Sequence, residues 1–194
     1  AEAINNALIG VLDEGDEVII FTPAFMNYAN VAKIVGAVPV EVPLRKENGY
    51  QIDFEELESK ITNKTKLVIL NDPGNPSGVV CTRETLEKLA QIIVSHNLLI
   101  FTDEMYNNLV YDGKKAMSIA ELPGMKERTI MMNGFSKTYA MTGWRLGYLA
   151  MDERLVTPIL KVHQYSTTCA PTFIQEGLVH SMNKAETLEA VENM

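Results

Sequence analysis

The sequence predicts an α/β fold, a three-layer α/β/α arrangement around a mostly parallel sheet. Two observations predict it, and a third sets its scale. Runs at 17–21, 66–70, 98–102 and 129–133 are dominated by apolar residues on both faces, as strands buried on both sides require. Segments with apolar residues at helical spacing alternate with these runs, so helices cover the sheet above and below. The chain has 194 residues and a composition ordinary for a globular protein, enough to bury one substantial core.

Residues 1–12 carry Ala3, Ile4, Ala7, Leu8, Val11 and Leu12 at helical spacing, with no capping Ser, Thr, Asp or Asn before them. A turn at 13–16 leads into the strand 17–21, which ends at Thr22-Pro23. A helix over about 26–35 stops at Gly36. The strand 38–42 contains Pro39, which lacks an N–H and therefore favours a sheet edge. Asp53 opens a helix, with Glu56 three residues after the cap. Strand 66–70 runs into the turn-rich Asn71-Asp72-Pro73-Gly74-Asn75-Pro76-Ser77-Gly78. Thr82 caps a helix to about His96, with Glu84 in its first turn complementing the dipole. Strands 98–102 and 129–133 follow. The strand 146–150 comes only a short loop later, which predicts antiparallel pairing. Helices over about 153–165 and 171–182 come next, and 184–194 reads as a polar-rich helix with no stop signal. A chain that opens inside a helix, without Met, and closes inside another is expected to be a piece of a longer protein.

Composition excludes several functions. A net charge of −8 argues against nucleic acid or an anionic membrane as partner, since both demand clustered Lys and Arg. No run of about 18 apolar residues and no signal-peptide pattern occurs, so a cytoplasmic protein is expected. Cys81 and Cys169 lie far apart, without a second thiol or paired His nearby, and are expected to be buried small hydrophobes rather than a disulfide or metal site. His96, His163 and His180 have no partner at metal-ligand spacing, and Met131, Met132, Met141 and Trp144 read as packing.

In open α/β sheets, ligands sit beyond the carboxyl ends of the strands. Three apolar strands here run into loops that hold Asn75, Asp103 with Tyr106, and Ser136 with Lys137, and Arg145 follows eight residues after the lysine. Taken singly, each has an ordinary explanation. A lysine after a strand is usually a solvated cation, an acid pair such as Asp103-Glu104 suits a helix start, and Asn-Pro-Gly loops supply turn dihedrals. Jointly, an amide, a carboxylate, a phenol, an amine and a guanidinium address every part of pyridoxal phosphate. Lys137, partly desolvated near other cations, would bind the aldehyde as a Schiff base. Asp103 would keep the ring nitrogen protonated, Tyr106 and Asn75 would donate to the ring oxygen, and Ser136 and Arg145 would hold the phosphate.

These residues resemble a known signature. The N-P-x-G loop (Asn75 to Gly78), the D-x-x-Y strand end (Asp103 to Tyr106) and the Ser136-Lys137 segment ending at Arg145 are similar to those of class I and II aminotransferases, which are fold-type I pyridoxal-phosphate enzymes. The wording M-T-G-W-R-L-G-Y looks most like the aspartate and aromatic branch. The stretch Thr22 to Tyr28 matches the family's ring-stacking motif, which places Phe25 on the cofactor face. The resemblance spans the whole chain and implies an amino-group transfer between an amino acid and a 2-oxo acid, with Lys137 as the proton-moving residue. It further implies that 1–194 is one partial domain, the cofactor-binding large domain truncated at both ends, of a homodimeric enzyme. The small domain, with the arginine that binds the substrate carboxylate, and the N-terminal segment would be absent, so the chain alone is expected to be inactive. Two alternatives share the ring-holding residues: a carbon–sulfur lyase or aminocyclopropane-carboxylate synthase, and a cofactor-sensing domain of an aminotransferase-like transcription regulator.

Overall fold

A computed structural model describes residues 1–192. Six strands form one sheet: β1 (Glu17–Thr22), β2 (Val38–Pro43), β3 (Thr65–Asn71), β4 (Leu99–Asp103), β5 (Thr129–Gly134) and β6 (Gly147–Met151). Their order is β2-β1-β3-β4-β5-β6. The first five are mutually parallel, and β6 runs antiparallel to β5. Both strand expectations hold: β2, with Pro39, lies at the edge, and the strand reached by a short loop reverses direction. Because β2 and β3 flank β1 on opposite sides, the chain changes winding direction there, which opens a crevice beyond the carboxyl ends of β1 and β3.

Alternate strand residues point into two helical layers. Ile19, Phe21, Val68, Leu70 and Ile100 pack beneath α3 (Phe54–Ser59) and α4 (Arg83–Ser95). Val18, Ile20, Leu67, Ile69, Phe101 and Ile130 face α1 (Glu2–Val11), α2 (Asn27–Ile34) and α5 (Glu153–Ser166). The helix α4 illustrates the energetics. Leu86, Leu89 and Ile93 fall on one stripe and are fully buried, each contributing about 1.5–3 kcal/mol of apolar transfer. Two more helices follow, α6 (Thr172–Met182) and α7 (Ala185–Glu192); the last two residues of the helix expected over 184–194 lie outside the described residues.

Helix starts behave as their sequences predict. Thr82 accepts a hydrogen bond from the Thr85 N–H at 3.1 Å. Asp53 accepts from the Glu56 N–H at 3.0 Å, while the Glu56 carboxylate turns to Arg45 and Lys60 instead of back to the cap. A short 3-10 turn at Ile119–Glu121, absent from the sequence reading, fills the long β4–β5 connection. Ser118 caps it and donates its hydroxyl to the buried Glu104 carboxylate at 2.6 Å. His163, expected as a surface or core polar residue, has its Nδ1 2.8 Å from Glu2 Oε1, tying α5 to α1.

The two thiols also differ from expectation. Cys169 is exposed, whereas Cys81 is only partly accessible. Burial, together with the neighbouring Asp72 carboxylate, pushes the Cys81 thiol far up. Since the thiolate is the reactive form, maleimide should modify Cys169 first and Cys81 at least about 100-fold more slowly in the folded chain. Peptide mapping of partly labelled protein checks this, and equal rates would contradict the packing around Cys81.

Candidate active site

Beyond the end of β1, Pro23 and Ala24 lead into Phe25 and then into the first turn of α2, where Tyr28 turns inward and is only 1% exposed. Its hydroxyl donates to Asp103 Oδ2 at 2.6 Å. Phe25 packs edge-on against the Tyr28 ring, with centroids 5.8 Å apart, and remains 37% exposed. One aromatic thus anchors the loop while the other presents its surface.

Asp103 is the last residue of β4 and is 5% exposed. Its Oδ1 accepts from the Met105 N–H at 3.1 Å. Burial pushes this carboxyl up, and the donors from Tyr28 and Met105 only partly oppose that push. Among the described residues it forms no ion pair. A buried acid held by two neutral donors and by no salt bridge is suited to a ligand that brings a positive charge.

On the next strand, Asn71 ends β3 and Asn75 lies four residues on. The Asn71 amide donates to the Asp103 carbonyl at 3.0 Å and accepts from the Asn75 N–H at 2.8 Å. Asn75 Nδ2 in turn approaches the Tyr106 hydroxyl at 3.4 Å, a long contact that leaves both groups capacity for another partner.

After β5 comes the lysine loop. A Cβ on Gly134 would meet Gly147 Cα at 3.0 Å, and one on Gly147 would meet the Asn133 carbonyl at 3.0 Å. A side chain at either position would push these neighbours back by a few tenths of an ångström, so the glycines let β5 and β6 close tightly beneath the loop. Lys137 extends from it with Nζ 5.9 Å from the Tyr106 ring centroid. Among the described residues its amine forms no hydrogen bond or ion pair. The partial desolvation expected for Lys137 is not supplied by this chain, because the residue is exposed. Ser136 is half-buried beside it.

Ala140 and Arg145 both adopt left-handed backbone, at φ 51° and 55°. Such residues cost about 1–2 kcal/mol each and cluster where a loop is held for a purpose. Arg145 donates from Nη1 to the Thr142 carbonyl at 2.5 Å and, among the described residues, pairs with no carboxylate. The amino group of Ala1, at the start of α1, is within electrostatic reach of Arg145 and Asp103, so the positive end of that helix faces the same region.

The carboxyl ends of β1, β3, β4 and β5 therefore carry Phe25, Asn75, Asp103 with Tyr106, and Ser136 with Lys137, and Arg145 follows in the loop before β6. Residues 1–194 match the family described as aminotransferase class I and II. The chain belongs to that family. It is 46% identical over 183 residues to the aromatic-amino-acid aminotransferase 2 of Thermococcus litoralis, a match covering 94% of this chain and 47% of the relative. With the aspartate aminotransferase of Pyrococcus abyssi it shares 43% over 193 residues, covering all of this chain and 50% of that protein. Among solved structures, the aromatic aminotransferase of Pyrococcus horikoshii superposes with a TM-score of 0.95 at 42% identity, over 100% of this chain and 52% of that one. The Thermus thermophilus aspartate aminotransferase with maleate gives 0.93 at 35%, over 98% and 50%. The chain thus spans about half the length of the relatives it matches.

Two members of this candidate site carry no distinguishing signal in the sequence. Tyr28 lies within the quoted Thr22–Tyr28 stretch, but helical spacing gives a core aromatic and a hydrogen-bonding phenol the same signature. Asn71 was read as turn chemistry, and the signal that could have separated it is its place as the last strand residue, opposite Asp103 in the β3–β4 register.

Proposed function

We propose that the full-length protein is a pyridoxal-phosphate-dependent aminotransferase that moves an amino group between an amino acid and a 2-oxo acid, and that residues 1–194 are its cofactor-binding domain. The observation that carries this is the buried Asp103, in no salt bridge among the described residues, at the same sheet edge as the Lys137 amine. The donor set fits the cofactor: a buried carboxylate without a salt bridge suits a protonated ring nitrogen, and two donors with spare capacity suit a ring oxygen.

When bound, the cofactor would supply an aldehyde for amine exchange and a ring that accepts the electron pair released at the substrate α-carbon. Asp103 would hold the proton on the ring nitrogen, with Tyr28 fixing the orientation of that carboxylate. Tyr106 and Asn75 would donate to the ring oxygen, and Phe25 would cover one ring face. Ser136 and Arg145 would hold the phosphate, aided by the positive end of α1. Lys137 Nζ would hold the aldehyde and, when free, would serve as the base that takes the α-carbon proton and as the acid that delivers it to the former aldehyde carbon.

The names of the relatives, which include aspartate, aromatic and N-succinyldiaminopimelate aminotransferases, support the reaction type without selecting a substrate. Among the described residues no helix is long and apolar enough to cross a membrane, in keeping with the cytoplasmic enzyme we propose. A homodimer completes this reading, and the 194-residue chain alone should turn over no substrate. The test is product analysis of the full-length protein supplied with pyridoxal phosphate, aspartate or an aromatic amino acid, and a 2-oxo acid. Stoichiometric oxo acid and new amino acid are expected; release of ammonia in their place would contradict the proposal and favour a lyase.

A further inference from the structure

Asn71 uses both ends of its side-chain amide, and both of its partners belong to the candidate site. The amide N–H donates to the main-chain carbonyl of Asp103, which also accepts from the Asp72 N–H at 3.1 Å. The amide oxygen accepts the main-chain N–H of Asn75. One planar group therefore spans from the strand end that carries the buried carboxylate to the loop that carries the ring-oxygen donor. The rest of the Asn71–Gly78 loop is held from its far side, by the Gly74 N–H to Val79 carbonyl at 2.8 Å and the Gly78 N–H to Gly74 carbonyl at 2.8 Å. Those bonds shape the turn; the Asn71 bridge acts between Asn75 and Asp103, beside the Asp72 N–H bond to the Asp103 carbonyl and the long Asn75 contact with Tyr106.

We propose that Asn71 is a positioning residue: its amide sets the Asn75 loop against the Asp103 strand end, so that the two groups keep a fixed spacing across the site. The inference rests on the role given above to Asn75. An ordinary loop-closing asparagine would need only the bond to the Asn75 N–H; the second bond, to the strand end, lets one side chain tie both elements together. Asn71→Ala removes both bonds. Asn71→Asp keeps the acceptor for Asn75 but loses the donor, and sets a carboxylate oxygen against the Asp103 carbonyl. Asn71→Ser is too short to reach both partners and substitutes for the alanine variant if that one does not fold.

Two readouts on the full-length protein separate positioning from general stabilisation. The first is amide exchange at Asn75 without cofactor, expected to be at least about tenfold faster in Asn71→Ala and near wild type in Asn71→Asp, with α4 amides unchanged. The second is the pH midpoint at which the visible band of bound pyridoxal phosphate changes. A donor lost from the ring oxygen raises proton affinity beside it, so Asn71→Ala should move the midpoint upward by about one unit, in the same direction as Asn75→Ala. Unaltered Asn75 exchange in Asn71→Ala, or a midpoint that stays put while Asn75→Ala moves it, would overturn the proposal. If Asn75→Ala itself leaves the midpoint in place, the assignment of Asn75 to the ring oxygen fails instead, and the exchange result alone decides for Asn71.

Discussion

Asp103→Asn should lower turnover of the full-length enzyme by at least about 100-fold while leaving the cofactor-free fold at least as stable as wild type at neutral pH. The first half follows from charge: an amide cannot hold a proton on a ring nitrogen, and removing one preorganised electrostatic group of this kind typically costs 10²–10³ in rate. The second half follows from burial. The Asp103 carboxyl is raised in the folded chain, so between its ordinary value near 4 and the raised value the folded state binds more protons than the unfolded one. Stability therefore falls as pH rises through that window, and the penalty persists above it. Asparagine keeps one oxygen for the Met105 N–H, turns its amide N–H toward the Tyr28 oxygen, and removes the charge penalty. Urea melts at pH 5 and pH 7.5 check this: the gain of the variant over wild type should be larger at pH 7.5. A structural Asp103 would give the reverse, a stability loss at both pH values with turnover scaling only with the folded fraction.

Lys137→Ala should abolish turnover, by at least about 10⁴-fold, without moving the melting temperature of the cofactor-free protein. Its amine serves both as the attachment point and as the proton carrier, and positioned proton transfer alone is worth 10²–10⁴. Nothing in the fold depends on it. The side chain is exposed and unpaired, and truncating such a residue usually changes stability by no more than about 0.5 kcal/mol. A solvated loop cation with no role would leave both quantities unchanged, so the split between activity and stability is the informative outcome.

Much of this architecture is legible in the sequence because period and punctuation agree. The runs ending at Asn71, Asp103 and Gly134 are apolar on both faces, which fixes them as interior strands, and strand direction then brings their following loops to one edge. Pro39 marks the sheet edge through its missing donor, and the short loop before Gly147 dictates a reversal. What the sequence hides is pairing between side chains far apart in the chain. The Tyr28 bond to Asp103 spans 75 positions, and the phenol is indistinguishable by spacing from a plain core ring. Asn71 looks like any turn residue until the β3–β4 register sets it opposite Asp103. The exposure of Lys137 was hidden for a related reason: whether a loop residue is covered depends on what lies above the loop, not on its own residues.

The central claim is that this sheet edge is a pyridoxal phosphate site attached through Lys137. The most direct measurement is borohydride reduction of the full-length protein with pyridoxal phosphate, followed by peptide mass mapping. The account predicts one phosphopyridoxyl adduct, on the peptide containing Lys137, and its loss in Lys137→Ala. An adduct on another lysine, or one that persists at full yield in Lys137→Ala, would contradict it.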